Sequence, residues 1–489
     1  MRRRAFLGML GCSVAGLAFG GAAAGRKLPN IVYVLADDMG WGDVSCNNPK
    51  GKIPTPNIDR LAAEGIRFTA AYAGSAACTP TRYGLMTGQY CWRTRLKRGV
   101  GWCFDPPLIA RNRLTVPELL KAHGYDTAMF GKWHLGLGFP TTDGKAPSHR
   151  ERPANIAWGQ PLTDSPLDHG FDVFFGTAAS LDMPPYGWIE GRRFVAPCTE
   201  QGTLHKIVGP MQKGFRAEEA LPTITRKTVE YLRGRKGASR PCFVYMALTA
   251  PHEPLAPSKA FQGKSPLGRY GDFCMEVDAA VGQVCEALRE AGLEGETWVL
   301  FSADNGCSRL IGVEGMAKKG HLVSGGFRGY KAEIYEGGDR VPYVMRWPGV
   351  IRPGQVSDER VSLTDLLATC AELVGAELPR DAGEDSISNL PLLEGASYAK
   401  PLRPVIIHQA NNGALGITKG KWKLELCKGN GGWFKPYDGK DPKTLPSIQL
   451  YDLEADPAET VNVQDKHPDV VRELRALLRR YETSGRTRP

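Results

Sequence analysis

Beyond its first 25 residues the chain has no apolar run of 20 residues, so nothing after the N-terminus reads as a membrane span. It has no Cys-x-x-Cys pair, which leaves zinc knuckles and thioredoxin-like redox sites without support. It has no internal repeat, which removes solenoids and propellers. The body also lacks net charge. The formal total is +10, but five of those charges stand in residues 1–27 and four more in 472–489. A nearly neutral body gives no case for nucleic-acid binding.

What is present is a chain of 489 residues with an ordinary apolar fraction, enough for a large α/β domain and something smaller. The first 27 residues combine a basic start, an apolar stretch and Ala22-Ala23-Ala24, the make-up of an export signal. Arg3-Arg4-x-Phe6-Leu7 resembles a twin-arginine signal, which predicts an exported protein, periplasmic or secreted. Leu10-Gly11-Cys12 resembles a lipoprotein box, but apolar sequence continues well past Cys12. Besides Cys12 and Cys78 there are ten cysteines, an even number that permits disulfides in an exported protein, with Cys91 and Cys103 the nearest candidates.

Four apolar runs read as buried strands of a parallel sheet: NIVYVLADD (30–38), YDTAMFGKWHLG (125–136), PCFVYMALTAPHEP (241–254) and TWVLFSADNG (297–306). Amphipathic segments at 57–65, 115–124, 217–233 and 272–292 alternate with them. The predicted class is therefore α/β, a large mostly parallel sheet flanked by helices. Residues 137–222, rich in proline, glycine and aromatics, read as long loops over one end of the sheet. From 404 the pattern changes to short strands followed by one helix. The expectation is an export signal at 1–27, a catalytic domain at 28–403 and a small antiparallel C-terminal subdomain at 404–489.

Each predicted strand ends in polar residues: Asp37-Asp38, then Lys132 and His134, then His252, then Asp304-Asn305. Ligands of open α/β sheets bind at the carboxyl ends of strands, so four such ends converge on one site. The acids and the amide offer only oxygen donors, suited to calcium or magnesium rather than zinc. Lys132, His134, His252 and Arg82 add cationic or proton-donating groups. Such a ring around a metal suits an anionic substrate that gathers charge in its transition state. Lys331, in a glycine-flanked stretch, reads on its own as a surface lysine. Cys78 opens a predicted helix, with Pro80 in its first turn and Arg82 one turn on, a place that favours negative charge on a thiolate or on a substrate.

Cys78-Thr79-Pro80-Thr81-Arg82, closing on Thr87-Gly88, resembles the sulfatase signature. The resemblance extends in order through LADDMGWGD, GKWHLG, APHEP, YGDFCMEVDAAVG, FSADNG, YEGGDRVP and LYDLEADPAETVNV, over about residues 28 to 482. It is most similar to the arylsulfatase A and N-acetylgalactosamine-6-sulfatase branch of that family, which has an alkaline-phosphatase-like fold. The resemblance implies that a maturation enzyme, formylglycine-generating or anaerobic, oxidises Cys78 to formylglycine, whose hydrate supplies the nucleophilic oxygen. It implies one calcium ion, Ca2+, on Asp37, Asp38, Asp304, Asn305 and the modified Cys78. Arg82 and Lys132 would orient the hydrate, Asp304 would take its first proton, and His134 would drive sulfate release. His252 and Lys331 would hold sulfate oxygens and protonate the leaving alcohol. Thr81 stands where serine is common; both carry a hydroxyl.

The implied substrate is a sulfated carbohydrate from an extracellular glycan. In the loop 180–191, Asp182 is expected to bond sugar hydroxyls and Tyr186 or Trp188 to stack on a ring, with His408 reaching in from the small subdomain. Two other readings stay open at this point: a formylglycine-dependent hydrolase of phosphonate or phosphate esters, and a secreted glycan-binding protein without catalysis.

Overall fold

The computed structural model describes residues 27–397, 400–435 and 444–488, so the export-signal reading, apart from Lys27, lies outside the described residues. The four apolar runs form Asn30–Ala36, Asp126–Lys132, Cys242–Ala247 and Thr297–Ala303. Three of them are buried at every residue, as a two-sided parallel sheet requires. They are neighbours in one ten-stranded sheet, in the order Thr297–Ala303, Asn30–Ala36, Cys242–Ala247, Asp126–Lys132, all parallel. Antiparallel strands extend both edges.

The register matters more than the strand count. Ala36 lies beside Ala303, Leu35 beside Ala247, and Ala247 beside Gly131. The polar residues that follow each strand therefore leave the sheet at one level. Gly131 has φ of 111°, and a Cβ there would sit 1.9 Å from the Ala247 carbonyl oxygen, so no larger residue fits directly before Lys132.

Helices pack in two groups. Pro56–Ala63, Ala220–Arg233 and Arg269–Glu290 form one, and Cys78–Thr87, Val116–Ala122 and Leu366–Leu373 the other. Among the described residues no helix is long and apolar enough to cross a membrane.

Three strands of this sheet depart from the sequence reading of 137–222 as loop: Ile189–Glu190, Arg193–Phe194 and, innermost, Val173–Thr177. Val173–Thr177 pairs in parallel with Asp126–Lys132, inside the segment expected to be loop. It is five residues long, and its neighbourhood of glycine and proline hid it. Toward the C-terminus, Val405–Gln409, Leu415–Lys419, Trp422–Glu425 and Gln449–Asp452 form a separate antiparallel sheet, and the helix Pro468–Ser484 packs on it. The disulfides that the even cysteine count permits are not formed among the described residues: all eleven described cysteines, Cys91 and Cys103 included, are unpaired.

Candidate active site

Cys78 begins the helix Cys78–Thr87, which is buried at all ten residues. Thr81 Oγ1 donates to the Ser75 carbonyl at 2.9 Å and ties the first turn to the loop before it. At the other end Gly88, at φ of 65°, closes the helix with its N–H on the Gly84 carbonyl. The cysteine thus sits on a fixed element rather than a loop.

The strand ends converge as their register dictates. Cys78 Sγ and carboxylate oxygens of Asp37 and Asp304 lie within 4.8 Å of one another, and Asp37, Asp38 and His252 form a second such group. Lys132 Nζ donates to Asp37 Oδ2 at 2.7 Å. Arg82 Nε donates to Asp304 Oδ2 at 2.9 Å and Nη1 to the Lys132 carbonyl at 3.3 Å. Lys331 Nζ donates to Asp38 Oδ2 at 2.8 Å, and His252 Nε2 stands 3.6 Å from that same oxygen. Lys331 is 5 % exposed, so it belongs to the site and not to the surface.

Two ring tautomers follow from the acceptors. His134 Nε2 is 3.0 Å from the Gly101 carbonyl and His252 Nδ1 is 2.6 Å from the Glu253 carbonyl. A carbonyl only accepts, so both nitrogens carry hydrogen. His134 Nδ1 is buried and has no hydrogen-bond partner. Burial, then Lys132 and Arg82, hold the His134 imidazole well below its usual range, so it is neutral with its lone pair on Nδ1.

The same field acts on the acids and on the thiol. Burial works against ionised Asp37, but Lys132, His252 and Arg82 overcome it and pull its carboxyl well down. Asp304 is pushed up to about 6 by burial and by the charge of Asp37. Burial also raises the Cys78 thiol in spite of Lys132 and Lys331. The expected benefit to a thiolate at this helix start is outweighed by desolvation, so the cysteine rests as a thiol.

A hard cation fits here on two grounds. Three buried acids crowd together with one of them forced toward its neutral form. Asp37 Oδ1 and Asn305 Oδ1 are also buried oxygens without a hydrogen-bond partner. Oxygen atoms left bare in this way match the donor preference of calcium or magnesium. The backbone shares in the construction. Asp38, His134 and Ala332 hold positive φ of 64°, 57° and 77°, a conformation costing about 1–3 kcal/mol each that the surrounding hydrogen bonds maintain.

Above Cys78 opens a cavity of about 710 Å³. Asp182 lines it, with Oδ1 buried and unpartnered. Tyr186 does not. It is buried, and its hydroxyl donates to the Ile207 carbonyl at 2.6 Å, so it staples a loop. Trp188 is stacked on Phe175 at 5.0 Å and is likewise taken. His408 is fully buried between Asp339 Oδ2 at 2.8 Å and Thr418 Oγ1 at 2.7 Å, away from the cavity. Asn411 and Asn412, just past the end of its strand, line the cavity instead, together with Trp433. The carboxyl-end rule applied to Val405–Gln409 would have pointed to them.

Sequence reasoning also passed over Thr79. Its Oγ1 accepts from Gly101 N at 3.0 Å, and the Gly101 carbonyl is what orients His134. Thr79→Val is expected to lower kcat by about tenfold while Thr79→Ser stays near wild type, a fraction of the roughly hundredfold loss that a 1 Å misplacement of a reacting group can cause. Steady-state kinetics would decide it, and an unchanged kcat for the valine variant would remove Thr79 from this chain of contacts.

A mostly parallel α/β sheet whose strand ends gather oxygen donors, fixed cations and two histidines around one buried cysteine suits a hydrolase of anionic esters. The Sulfatase family model matches residues 29–376, and the chain belongs to that family, whose members are sulfuric ester hydrolases. It is 34% identical over 500 residues to an N-acetylgalactosamine-6-O-sulfatase of Bacteroides thetaiotaomicron, covering 93% of both chains. It is 32% identical over 486 residues to arylsulfatase A of Bos taurus, covering 95% of this chain and 89% of that one. A solved structure from work on the metabolism of multiple glycosaminoglycans by Bacteroides thetaiotaomicron superposes with a TM-score of 0.82 at 31% identity. That match covers 94% of this chain and all of the other.

Proposed function

We propose that this protein is an exported sulfatase acting on sulfated sugars of extracellular glycans, with Cys78 converted to formylglycine and one calcium ion held by Asp37, Asp38, Asp304 and Asn305. The observation that carries this reading is a buried cysteine, kept as a thiol, set among oxygen donors that have no use for sulfur. A protonated thiol is a poor nucleophile. Formylglycine, as its hydrate, supplies an oxygen nucleophile and a second hydroxyl whose deprotonation releases sulfate, and calcium supplies positive charge beside it.

The remaining work falls to side chains already in place. Arg82, Lys132 and Lys331 are each fixed by a carboxylate, so their charges stand preorganised where sulfate oxygens would gather negative charge. His252 keeps its Nδ1 proton on Glu253 and turns Nε2 toward the Asp38 oxygen that also holds Lys331. Lys331 Nζ, and His252 Nε2 when the ring carries a proton on both nitrogens, are thus the two atoms placed to hand a proton to the departing alcohol oxygen. His134 Nδ1, neutral and unpartnered, is the base atom that takes a proton when sulfate leaves. Asp304 takes the earlier one. Asp182 Oδ1 is the acceptor available to a sugar hydroxyl.

The relatives named for N-acetylgalactosamine 6-sulfate make that sugar the first substrate to test. Export is read from Arg3-Arg4 and the apolar stretch after them, and because a twin-arginine route carries folded proteins, the maturation enzyme acts on Cys78 in the cytoplasm, before export. The division into catalytic domain and C-terminal subdomain near residue 404 belongs to the same reading, supported by the start of the small sheet at Val405.

The decisive experiment is mass analysis of the tryptic peptide spanning Cys78 from protein made in its native host, with sulfate release from nitrophenyl sulfate measured on the same sample. Formylglycine together with sulfate release is the expected result. An intact thiol with full activity would sink the reading. Faster hydrolysis of nitrophenyl phosphonate than of the sulfate would assign the ester class differently. Prolonged chelation is expected to lower sulfate release at least about a hundredfold, with recovery on adding calcium. Chelated protein of full activity would remove the ion from the site.

A further inference from the structure

Two arginines in the active-site cavity face no carboxylate among the described residues. Arg98 and Arg150 both line it, both are exposed, and neither makes an ion pair among the described residues. Exposed arginines without partners are common, so their mounting is what distinguishes them.

Arg98 stands between two anchored residues. The Lys97 carbonyl accepts from Gln409 Nε2 at 3.0 Å, and Gly99 N donates to the Asn411 carbonyl at 2.8 Å. Its backbone is therefore clamped to the strand end whose next residues, Asn411 and Asn412, also line the cavity. Arg150 comes from a different loop, in a turn where His149 Nδ1 accepts from Glu151 N and Arg152 N. Its guanidinium lies over Trp102, 4.4 Å from the ring centroid, and Trp102 is itself held by Asp105 Oδ2 on its backbone N–H at 2.7 Å. A guanidinium laid on an aromatic face keeps its N–H edge free, the geometry that takes a planar anion two hydrogen bonds at a time.

Every cation deeper in the site already faces a carboxylate: Lys132 faces Asp37, Arg82 faces Asp304 and Lys331 faces Asp38. One sulfate monoester fills that inner set. The outer pair answers to a second negative group. We infer that Arg98 and Arg150 form an outer anion subsite, selecting sulfated sugars that carry a second anion, either a carboxylate on an adjoining uronic acid or a second sulfate. This rests on the sulfatase reading of the inner site and adds to it the charge class of the preferred substrate.

The test uses full-length protein carrying Cys78→Ala, so that ligands bind without turning over. Calorimetry would compare N-acetylgalactosamine 6-sulfate, its 4,6-disulfate and a uronosyl disaccharide of the 6-sulfate. These would be measured with Arg98 and Arg150 intact and with both changed to alanine. The expected result is a loss of about tenfold in affinity for one or both doubly charged ligands, with the singly charged sugar unchanged, as two exposed charge-assisted contacts would give. Which doubly charged ligand responds identifies the second anion. Arg98→Lys with Arg150→Lys should recover part of the loss, and added salt should erode it. The subsite is overturned if both doubly charged ligands keep wild-type affinity in the alanine pair, or if all three ligands weaken equally. Absence of sulfate release by mature wild-type protein, together with no binding of the singly charged sugar, would overturn the inner-site reading as well.

Discussion

Cys78→Ala protein is expected to release sulfate at least about ten-thousand-fold more slowly than mature wild type while melting at nearly the same temperature. The two halves of that expectation come from different observations. The side chain is small and packed at the start of a helix whose closure is made elsewhere, by Thr81 on Ser75 and by Gly88 on Gly84. Alanine lacks the oxygen of the converted residue, as it lacks the sulfur of the precursor cysteine, and either loss leaves a small void and no broken hydrogen bond of the helix. In the proposed mechanism activity depends on an oxygen that only a converted residue supplies. Cys78→Ser sharpens the point. It offers one hydroxyl and no second, so it should release at most one equivalent of alcohol from an aryl sulfate and then stop. Continued turnover by the serine variant would remove the second hydroxyl from the mechanism, and substantial turnover by the alanine variant would remove residue 78 altogether. Burst kinetics on nitrophenyl sulfate distinguish these outcomes.

The inner site could be read from sequence because each of its strands is an apolar run that ends abruptly in charge. Asp37, His134, His252 and Asp304 needed no tertiary information beyond the rule that parallel strands share an end. Lys331 was weaker, since nothing local separates a buried lysine from a surface one until Asp38 is seen beneath it. The outer cavity was another matter. Tyr186 and His408 looked available because aromatic and imidazole groups in loops commonly bind sugars. Whether such a side chain turns in or out is set by distant partners: Ile207 for the first, Asp339 and Thr418 for the second. Arg98 and Arg150 come from separate loops that only the fold brings to one cavity. The strand Val173–Thr177 was hidden for a different reason: it is too short for its pattern to rise above its glycine-rich surroundings. The positive φ of Asp38 and His134 has no sequence signature at all, since neither residue is glycine.

Lys423→Met is expected to destabilise the protein by about 3–5 kcal/mol near neutral pH, the cost of stripping the counter-charge from buried carboxylates. Lys423 is fully buried on the second strand of its hairpin. Its Nζ stands 2.9 Å from Glu459, 3.1 Å from Glu336 and 3.6 Å from Glu425. Glu336 lies between the site loop that carries Lys331 and this small sheet, and Arg340 and Tyr72 also hold it. Burial opposes the Lys423 charge, yet Glu459, Glu336 and Glu425 together raise its ammonium well above the usual lysine range. Burial likewise opposes ionised Glu336, but Lys423 and Arg340 pull its carboxyl down. Glu425 and Glu459 are raised, chiefly by burial. The signs then follow. A raised lysine contributes stability that is complete below its unfolded value and is lost only as pH climbs through the folded one. The depressed Glu336 contributes above its unfolded value and loses that contribution as pH falls. The two raised acids favour the fold more as they protonate. Without Lys423 all three carboxylates lose their principal counter-charge, so the deficit should be largest at neutral and alkaline pH. It should shrink as pH is lowered toward the ordinary glutamate range, where the stranded acids take up protons. Urea midpoints of wild type and Lys423→Met across that pH span test this. Lys423→Met combined with Glu459→Gln should restore part of the loss by removing one of the unpaired charges. A deficit that is flat with pH and unrelieved by Glu459→Gln would mean that packing, not charge, accounts for Lys423.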